Sequence, residues 1–459
     1  MKAAGIGQDY TLRKDNRDLS HIPGAYGLPY LGFMIPLLKD PYAVLKAHYD
    51  RFGAVSRARL TGQNMVWALG PDFNRELVMD QQQLYSARMG YDAPLGDFFD
   101  GGLLVRDFAE HKFHRRIMQS AFKTSSMQHY IHSANELAER TTREWPGIAD
   151  FHFYPQIKSL LLEIGARVFV GVGLESDIDS LNKSFLDMMA GTLAIIRKDW
   201  PGLGLSYRRG MEGRRALGRY FEGLVPAKRN DDGMDMMSHF SRERSEDGEL
   251  YADKVVADHL IFLLLAAHDT TTSALTMASY YLARHPEWQE RLRAEVDALG
   301  HSLTYEDMGQ NVPLVEQTFH EILRMHPPVP QLMRRTIRET ELGGYRIPAD
   351  TMVIISPIFC HRMTEYWKEP HRFDPDRFGP ERQENKQHPY LWVPFGGGAH
   401  KCIGLHFADM LFKCVMVEML RNFRFSLPAG YADPPAIMHF PFSKLMDDLP
   451  LKLEPLHHD

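Results

Sequence analysis

Cys402 stands in Phe395-Gly-Gly-Gly-Ala-His-Lys-Cys402-Ile-Gly404, directly ahead of a long apolar stretch at 405–423 with helical spacing. A thiol at the mouth of a helix is placed to be a thiolate, because N-terminal amides and the macrodipole favour the anion. Such a thiolate is a nucleophile or a metal ligand. Cys360 and Cys414 lie in apolar runs and read as small buried hydrophobes. Three cysteines in 459 residues, without CxxC spacing, give no disulfide framework and point to a reducing compartment. His400, Cys402 and His406 cluster, but H-x-C-x-x-x-H matches no usual zinc spacing and no second ligand pair lies nearby. A nucleophilic cysteine needs a base, and His400 is placed to point away from the sulfur on an extended loop. The glycines suggest instead that something flat and bulky approaches the backbone closely.

Other chemistry-bearing residues are scattered along the chain. Ala266-Ala-His-Asp269-Thr270-Thr271 interrupts an apolar helical stretch at 255–283, and polar groups there are costly without a task. The polar block breaks the apolar run well short of the ~20 residues a membrane span needs. Glu321 and Arg324 are three apart, an ordinary helical pair by themselves. His111 and Arg115 share one helix face.

The loop pattern F-x-x-G-x-x-x-C-x-G resembles the haem-binding loop of the cytochrome P450 family, in which the cysteine thiolate is the axial iron ligand. The remaining family segments follow in order. Glu321-Ile-Leu-Arg324 matches E-x-x-R, and Phe373-Asp-Pro-Asp-Arg377-Phe378 resembles the P-E-R-F segment. The resemblance implies that Glu321, Arg324 and Arg377 form a structural triad locking the cysteine loop. The 266–271 segment resembles the A-G-x-D-T-T oxygen-binding groove, where the helix opens locally. Ala267 replaces the usual glycine, which favours a more regular helix. Asp269 and Thr270 are thereby the expected catalytic residues, passing protons to the distal oxygen. Cys402, Phe395, Gly398 and Gly404 are the expected haem-loop contacts. His111, Arg115, Arg334 and His400 fall where the family holds the haem propionates; Arg335 is the neighbouring alternative to Arg334.

The family implies a mainly α fold with small β-sheets, in one large domain over residues 23–459 after a polar segment 1–22. It implies haem b, and hydroxylation of a hydrophobic small molecule with dioxygen and two electrons. A haem-thiolate peroxygenase or isomerase, and a non-catalytic haem carrier, are the rival readings. The segment 85–100 is expected as a loop over the substrate pocket, supplying Tyr91, Phe98 and Phe99. Leu263, Ala266 and Ala267 are expected from the central helix, then Val329, Leu332 and Met333, and Phe442 (with Phe440) near the final turn. Terpenoid, steroid, fatty acid and aromatic substrates all fit such a lining, with terpenoid or steroid size preferred.

Composition frames the rest. The apolar fraction of 44% is ordinary for a globular core, and a net charge of −6 argues against nucleic acid. Residues 1–21 lack the apolar core of a signal peptide or a membrane anchor. The expected setting is cytoplasmic, with electrons from a separate ferredoxin or flavodoxin and its reductase. Lys401 and Lys413 are candidate docking contacts. Periodicity predicts helices at 42–51, 72–79, 109–121, 127–143, 157–169, 180–194, 208–228, 254–283, 286–298, 312–324 and 405–423. Strands are expected at 55–60, 65–69, 345–347 and 352–355.

Overall fold

The computed structural model describes residues 18–171, 178–192, 194, 197, 204–439 and 442–456. Its helices are α1 (Met34–Lys39), α2 (Pro41–Phe52), α3 (Pro71–Met79), α4 (Ala87–Phe99), α5 (Phe108–Gln119), α6 (Thr124–Thr142), α7 (Phe153–Val170) and α8 (Ile178–Thr192). They continue with α9 (Leu205–Lys228), α10 (Met236–Arg242), α11 (Asp253–Arg284), α12 (Pro286–Leu299), α13 (Pro313–Met325), α14 (Pro357–Cys360) and α15 (Leu405–Asn422). Strands are β1 (Val55–Leu60), β2 (Gln63–Ala68), β3 (Tyr85–Ser86), β4 (Leu332–Thr336), β5 (Thr340–Leu342), β6 (Tyr345–Ile347), β7 (Met352–Ile355), β8 (Phe423–Ser426), β9 (Ile437–Met438), β10 (Lys444–Leu445) and β11 (Lys452–Pro455). The described residues pack as two compact units, one within 86–126 and 163–267, the other within 18–85, 127–162 and 268–456. The boundaries fall inside β3, α6, α7 and α11.

In the second unit the main sheet runs β1-β2-β7-β4, with β2 and β7 parallel and the other two pairs antiparallel. Alternation along these strands separates two apolar clusters. Trp67, Ile354 and Met65 join one with Phe359 and Leu45. Val66, Val353 and Ile355 join the other with Leu77, Val78 and Tyr85. That second cluster also holds Leu19 and Ile22, both fully buried. Packed structure therefore already includes Leu19, ahead of the boundary expected at residue 23. Residues 1–17 of the polar segment lie outside the described part.

In the first unit, α8 and α9 cross where Gly191 and Gly210 meet. A Cβ on either would stand under 3.0 Å from the other's Cα, so only glycine permits this approach. The Phe98 ring fills the same notch and is fully buried.

The segment expected as a loop at 85–100 is instead mostly helix. Gly90, Pro94 and Gly96 read as breakers in sequence. They are outweighed by capping: Ser86 Oγ accepts from Met89 N at 2.9 Å, and Asp107 accepts from Ala87 N at 2.8 Å and from Ser86 Oγ.

Among the described residues α11 alone is long and apolar enough to cross a membrane, and 72% of its most apolar stretch is buried, as in a core helix.

Candidate haem-thiolate site

Of the three thiols, only Cys402 is exposed. Burial pushes the thiols of Cys360 and Cys414 well above their usual range, so neither is available as a thiolate. Cys402 lies three residues before α15, whose first turn begins at Leu405 after Gly404. Among the described residues no group of three or more His, Cys, Asp or Glu side chains is placed to hold a metal. His400, Cys402 and His406 therefore do not form a zinc site.

Backbone geometry holds the loop. Cys402 N donates to Phe395 O at 2.9 Å, and Gly396 N donates to Val393 O at 3.0 Å. Gly396 and Gly398 have φ of +66° and +58°. A Cβ on Gly398 would fall 1.9 Å from Val78 O on α3, so the loop rests directly on that helix. Nothing lies within 4 Å of a Cβ built at Gly404. Gly398→Ala is expected to cost about 1–3 kcal/mol in left-handed strain, with added displacement of the loop, whereas Gly404→Ala leaves folding stability within about 0.5 kcal/mol. Urea denaturation of the two variants checks the contrast. Phe395 lies tilted against Phe319 of α13, which stacks on Phe412 of α15 at 4.4 Å between centroids.

Behind the loop, Glu321 and Arg324 on α13 are fully buried and Arg377 is 1% exposed. The Glu321 carboxylate accepts from Arg324 at 2.6 and 2.9 Å, from Arg377 Nε at 3.3 Å and from Asp374 N at 2.9 Å. Arg324 also donates to His361 O at 2.9 Å. Burial holds the His361 imidazole neutral, its pKa down to about 3, so its Nε2 accepts from Val393 N at 3.0 Å. The path from α13 to the cysteine loop thus runs through His361, which sequence reasoning missed. Glu384, which accepts from Arg377 at 2.9 Å, was missed too.

Strand alternation on β4 separates Arg334 from Arg335. Arg335 Nε lies 3.2 Å from Asp350. Arg334 shares its face with Leu332, whose Cδ1 stands 3.9 Å from the Cβ position of Gly396. Arg334 is therefore on the cysteine-loop side. Met333 lies on the opposite face, against the cluster of Trp67 and Ile354. His400 ends the turn Gly398–His400 and is half-buried.

The carboxylate of Asp269 is 10% exposed and meets Lys158 Nζ of α7 at 2.9 Å. His268 Nε2 lies 2.9 Å from Lys158 O, and burial pushes its imidazole down against the pull of Asp269. Lys158 is 111 residues away in sequence and carries no motif, so no sequence signal identified it. Lys158→Met removes the cation that fixes Asp269. Turnover is expected to fall about tenfold, part of the ~10²–10⁴ a positioned proton donor contributes, with Lys158→Arg retaining most of it. Product formed per electron consumed checks this.

α11 runs unbroken through Ala267, without the local opening the family pattern implies. Alanine favours helix over glycine by about 1 kcal/mol. Thr272 and Thr276 hydroxyls bond back to His268 O and Thr272 O at 2.8 and 2.7 Å. Thr270 follows Asp269 on the same helix and is half-buried.

In the first unit, His111 on α5 is 2% exposed and Arg115, one turn on, is half-buried. Tyr91, Phe98, Phe99 and Leu263 are buried there, while Ala266 and Ala267 are half-buried. Phe98 is held by its glycine notch, a packing role. In the second unit Val329, Leu332, Met333 and Phe442 are half-buried, and Phe440 lies outside the described residues. Lys413 corrects an expectation. It is 1% exposed, bonded to Met308 O, Glu316 and Asp409 at 2.7, 2.8 and 2.9 Å, and so cannot dock a partner. Lys401 is exposed.

The donor set fits one large planar group: an exposed thiol at a helix mouth, a glycine backbone and a cation on the facing strand. This is a haem-thiolate enzyme in its loop and its fold. A family model described as cytochrome P450 matches residues 219–454. Putative cytochrome P450 136 of Mycobacterium tuberculosis is 36% identical over 448 residues, covering 95% of this chain and 89% of that one. Taxane 10-beta-hydroxylase of Taxus cuspidata is 25% identical, covering 88% and 84%. The solved structure of retinoic acid bound cyanobacterial CYP120A1 shares the fold, with a TM-score of 0.85 at 24% identity over 95% of this chain and 99% of that one. The chain belongs to the cytochrome P450 family. It is a monooxygenase whose cofactor is haem b.

Proposed function

We propose that the chain hydroxylates a hydrophobic small molecule of terpenoid or steroid size, using dioxygen and two electrons from a separate ferredoxin or flavodoxin and its reductase. The observation that carries the catalytic reading is the Lys158–Asp269 ion pair, set beside Thr270 in the middle of α11. A passive haem carrier has no use for a charged pair there. The substrate class is supported by two relatives: one is named for a taxane, the other was solved with retinoic acid, and both ligands are isoprenoids.

Bound haem supplies dioxygen activation and oxygen-atom transfer. In this reading the Cys402 thiolate holds the iron, and the N-terminal amides of α15 favour its anionic form. Phe395, Gly398 and Gly404 would be the loop's contacts to the bound ring. Arg334, His400, His111 and Arg115 are the cations that would neutralise the propionates. Asp269 carries a proton to the Thr270 hydroxyl, with Lys158 and His268 fixing its carboxylate. Residues 23–459 act as one catalytic domain in the cytoplasm, and Lys401 contacts the electron donor.

A panel of terpenoids, steroids, fatty acids and aromatics is screened for low-to-high-spin shifts, and binders are turned over under labelled dioxygen with a reductase system. One labelled oxygen per product is expected. Label arriving only from labelled peroxide indicates a peroxygenase, and binding without turnover indicates a carrier.

A further inference from the structure

α9 carries six Lys and Arg against two Glu. Beside it, within the first unit, lies a cleft of about 370 Å³, walled by α9, the end of α4 and the first turn of α11. Four cations line it: Arg214, Arg215, Arg219 and Lys254. Three carboxylates line it too, and two of them are already committed. Asp97 accepts from Arg197 at 3.0 Å and from Tyr207 Oη at 3.1 Å, and Asp100 accepts from Arg88 at 3.0 Å. Arg214 and Lys254 share the one buried carboxylate of Asp258, which Lys254 meets at 2.7 Å, so one of these two cations is in excess. Arg215 and Arg219 are both exposed and have no hydrogen-bond or ion-pair partner among the described residues, and neither has Glu222. Three unmatched cations thus face one free carboxylate, and the cleft keeps a charge of +2. Arg215 and Arg219 stand four apart, where like charges repel along a helix. Concave walls focus such a field. Arg214 is held in place, its side chain 16% exposed and its Nε donating to Phe98 O at 2.7 Å. Gly218 keeps the wall open between these arginines, since a Cβ there would stand 3.2 Å from Arg214 Nη1. Charged walls do not suit the hydrophobic substrate, which takes a mostly apolar pocket.

We propose that this cleft binds a small phosphate-bearing anion, such as pyrophosphate or a phosphorylated metabolite. Guanidinium forks match phosphate oxygens two at a time. Arg215 and Arg219 hold the anion from α9, Arg214 supplies a fixed guanidinium, and Lys254 adds a point charge from α11. A phosphate group carries a charge of about −2 near neutral pH, which cancels the excess in the cleft. The bound anion also relieves the repulsion between Arg215 and Arg219. None of the residues assigned to haem or to proton transfer lines the cleft, so the site is separate from the catalytic one.

The test is calorimetric titration of the haem-loaded protein with pyrophosphate at fixed ionic strength. Saturable binding at one site per chain is expected. The double variant Arg215→Gln, Arg219→Gln is expected to lose about tenfold or more in affinity. Arg208→Gln, Arg209→Gln removes the same charge from α9 outside the cleft, and its affinity should stay within about twofold of the parent. Glu222→Gln should bind several-fold tighter, because it removes the free carboxylate. The reduced carbon monoxide spectrum of each variant should match the parent, since these side chains lie outside the catalytic machinery. Absence of saturable binding, or equal losses in the two arginine pairs, overturns the proposal. So does tighter binding of hexaglutamate than of pyrophosphate, because the basic surface would then belong to a protein partner.

Discussion

Cys402→Ala is expected to abolish product formation and the red-shifted Soret band of the reduced carbon monoxide complex, while leaving the apoprotein folded. The thiolate cannot be supplied from elsewhere. Cys360 and Cys414 are 0% and 2% exposed, and burial disfavours the anion of each. The loop itself does not depend on the sulfur. Its shape comes from the Cys402 N to Phe395 O bond, the left-handed glycines and the rest of Gly398 on Val78, all of which an alanine at 402 retains. Folding stability measured by urea denaturation should therefore change by only about 0.5 kcal/mol. Spectroscopy of the reduced carbon monoxide complex and turnover with labelled dioxygen read the chemical loss separately. A surviving thiolate band would remove Cys402 from the iron and with it the assignment of the loop.

That separation between holding the loop and using the sulfur also marks what was legible in the sequence. Motif residues were readable because family segments recur in a fixed order, and α13, α15 and most of α11 showed helical apolar spacing. α4 was not readable, because its capping partner Asp107 lies beyond the helix it caps and the internal Gly90, Pro94 and Gly96 argue for a loop. Lys413 was misread because lysine is nearly always solvated. Here two carboxylates and a carbonyl from α13, α15 and the Met308 turn draw it in. Lys158 and His361 carry no pattern of their own. Their roles come from tertiary placement, against Asp269 in one case and between Arg324 and Val393 in the other. Arg334 was preferred to Arg335 in the sequence, and the strand register puts the two on opposite faces of β4.

Glu321→Ala is expected to destabilise the protein by about 3–5 kcal/mol, a large part of the ~5–15 kcal/mol that holds a typical fold together. The size follows from what the substitution leaves behind. Arg324 and Arg377 have side-chain exposures of 0% and 1%, and each loses a carboxylate acceptor without gaining water. Arg377 keeps Glu384 at 2.9 Å, and Arg324 keeps only neutral acceptors such as His361 O and Pro370 O. The Arg324 guanidinium is then a buried charge with no counterion, the costly half of a broken pair. Asp374 N loses its acceptor as well, which releases the turn that carries Arg377. Strain should pass along Arg324, His361 and Val393 to the cysteine loop, so haem occupancy is expected to fall together with the denaturation midpoint. Arg324→Lys separates charge from geometry. It keeps the cation but cannot reproduce the paired bonds of 2.6 and 2.9 Å to Glu321. An intermediate loss of stability with a clear loss of haem occupancy would show that the triad's directional bonds, beyond its charge balance, hold Cys402 in place. Glu321→Ala within about 1 kcal/mol of the parent, with full haem loading, would contradict that role and leave the loop supported by its glycines and Phe395 alone.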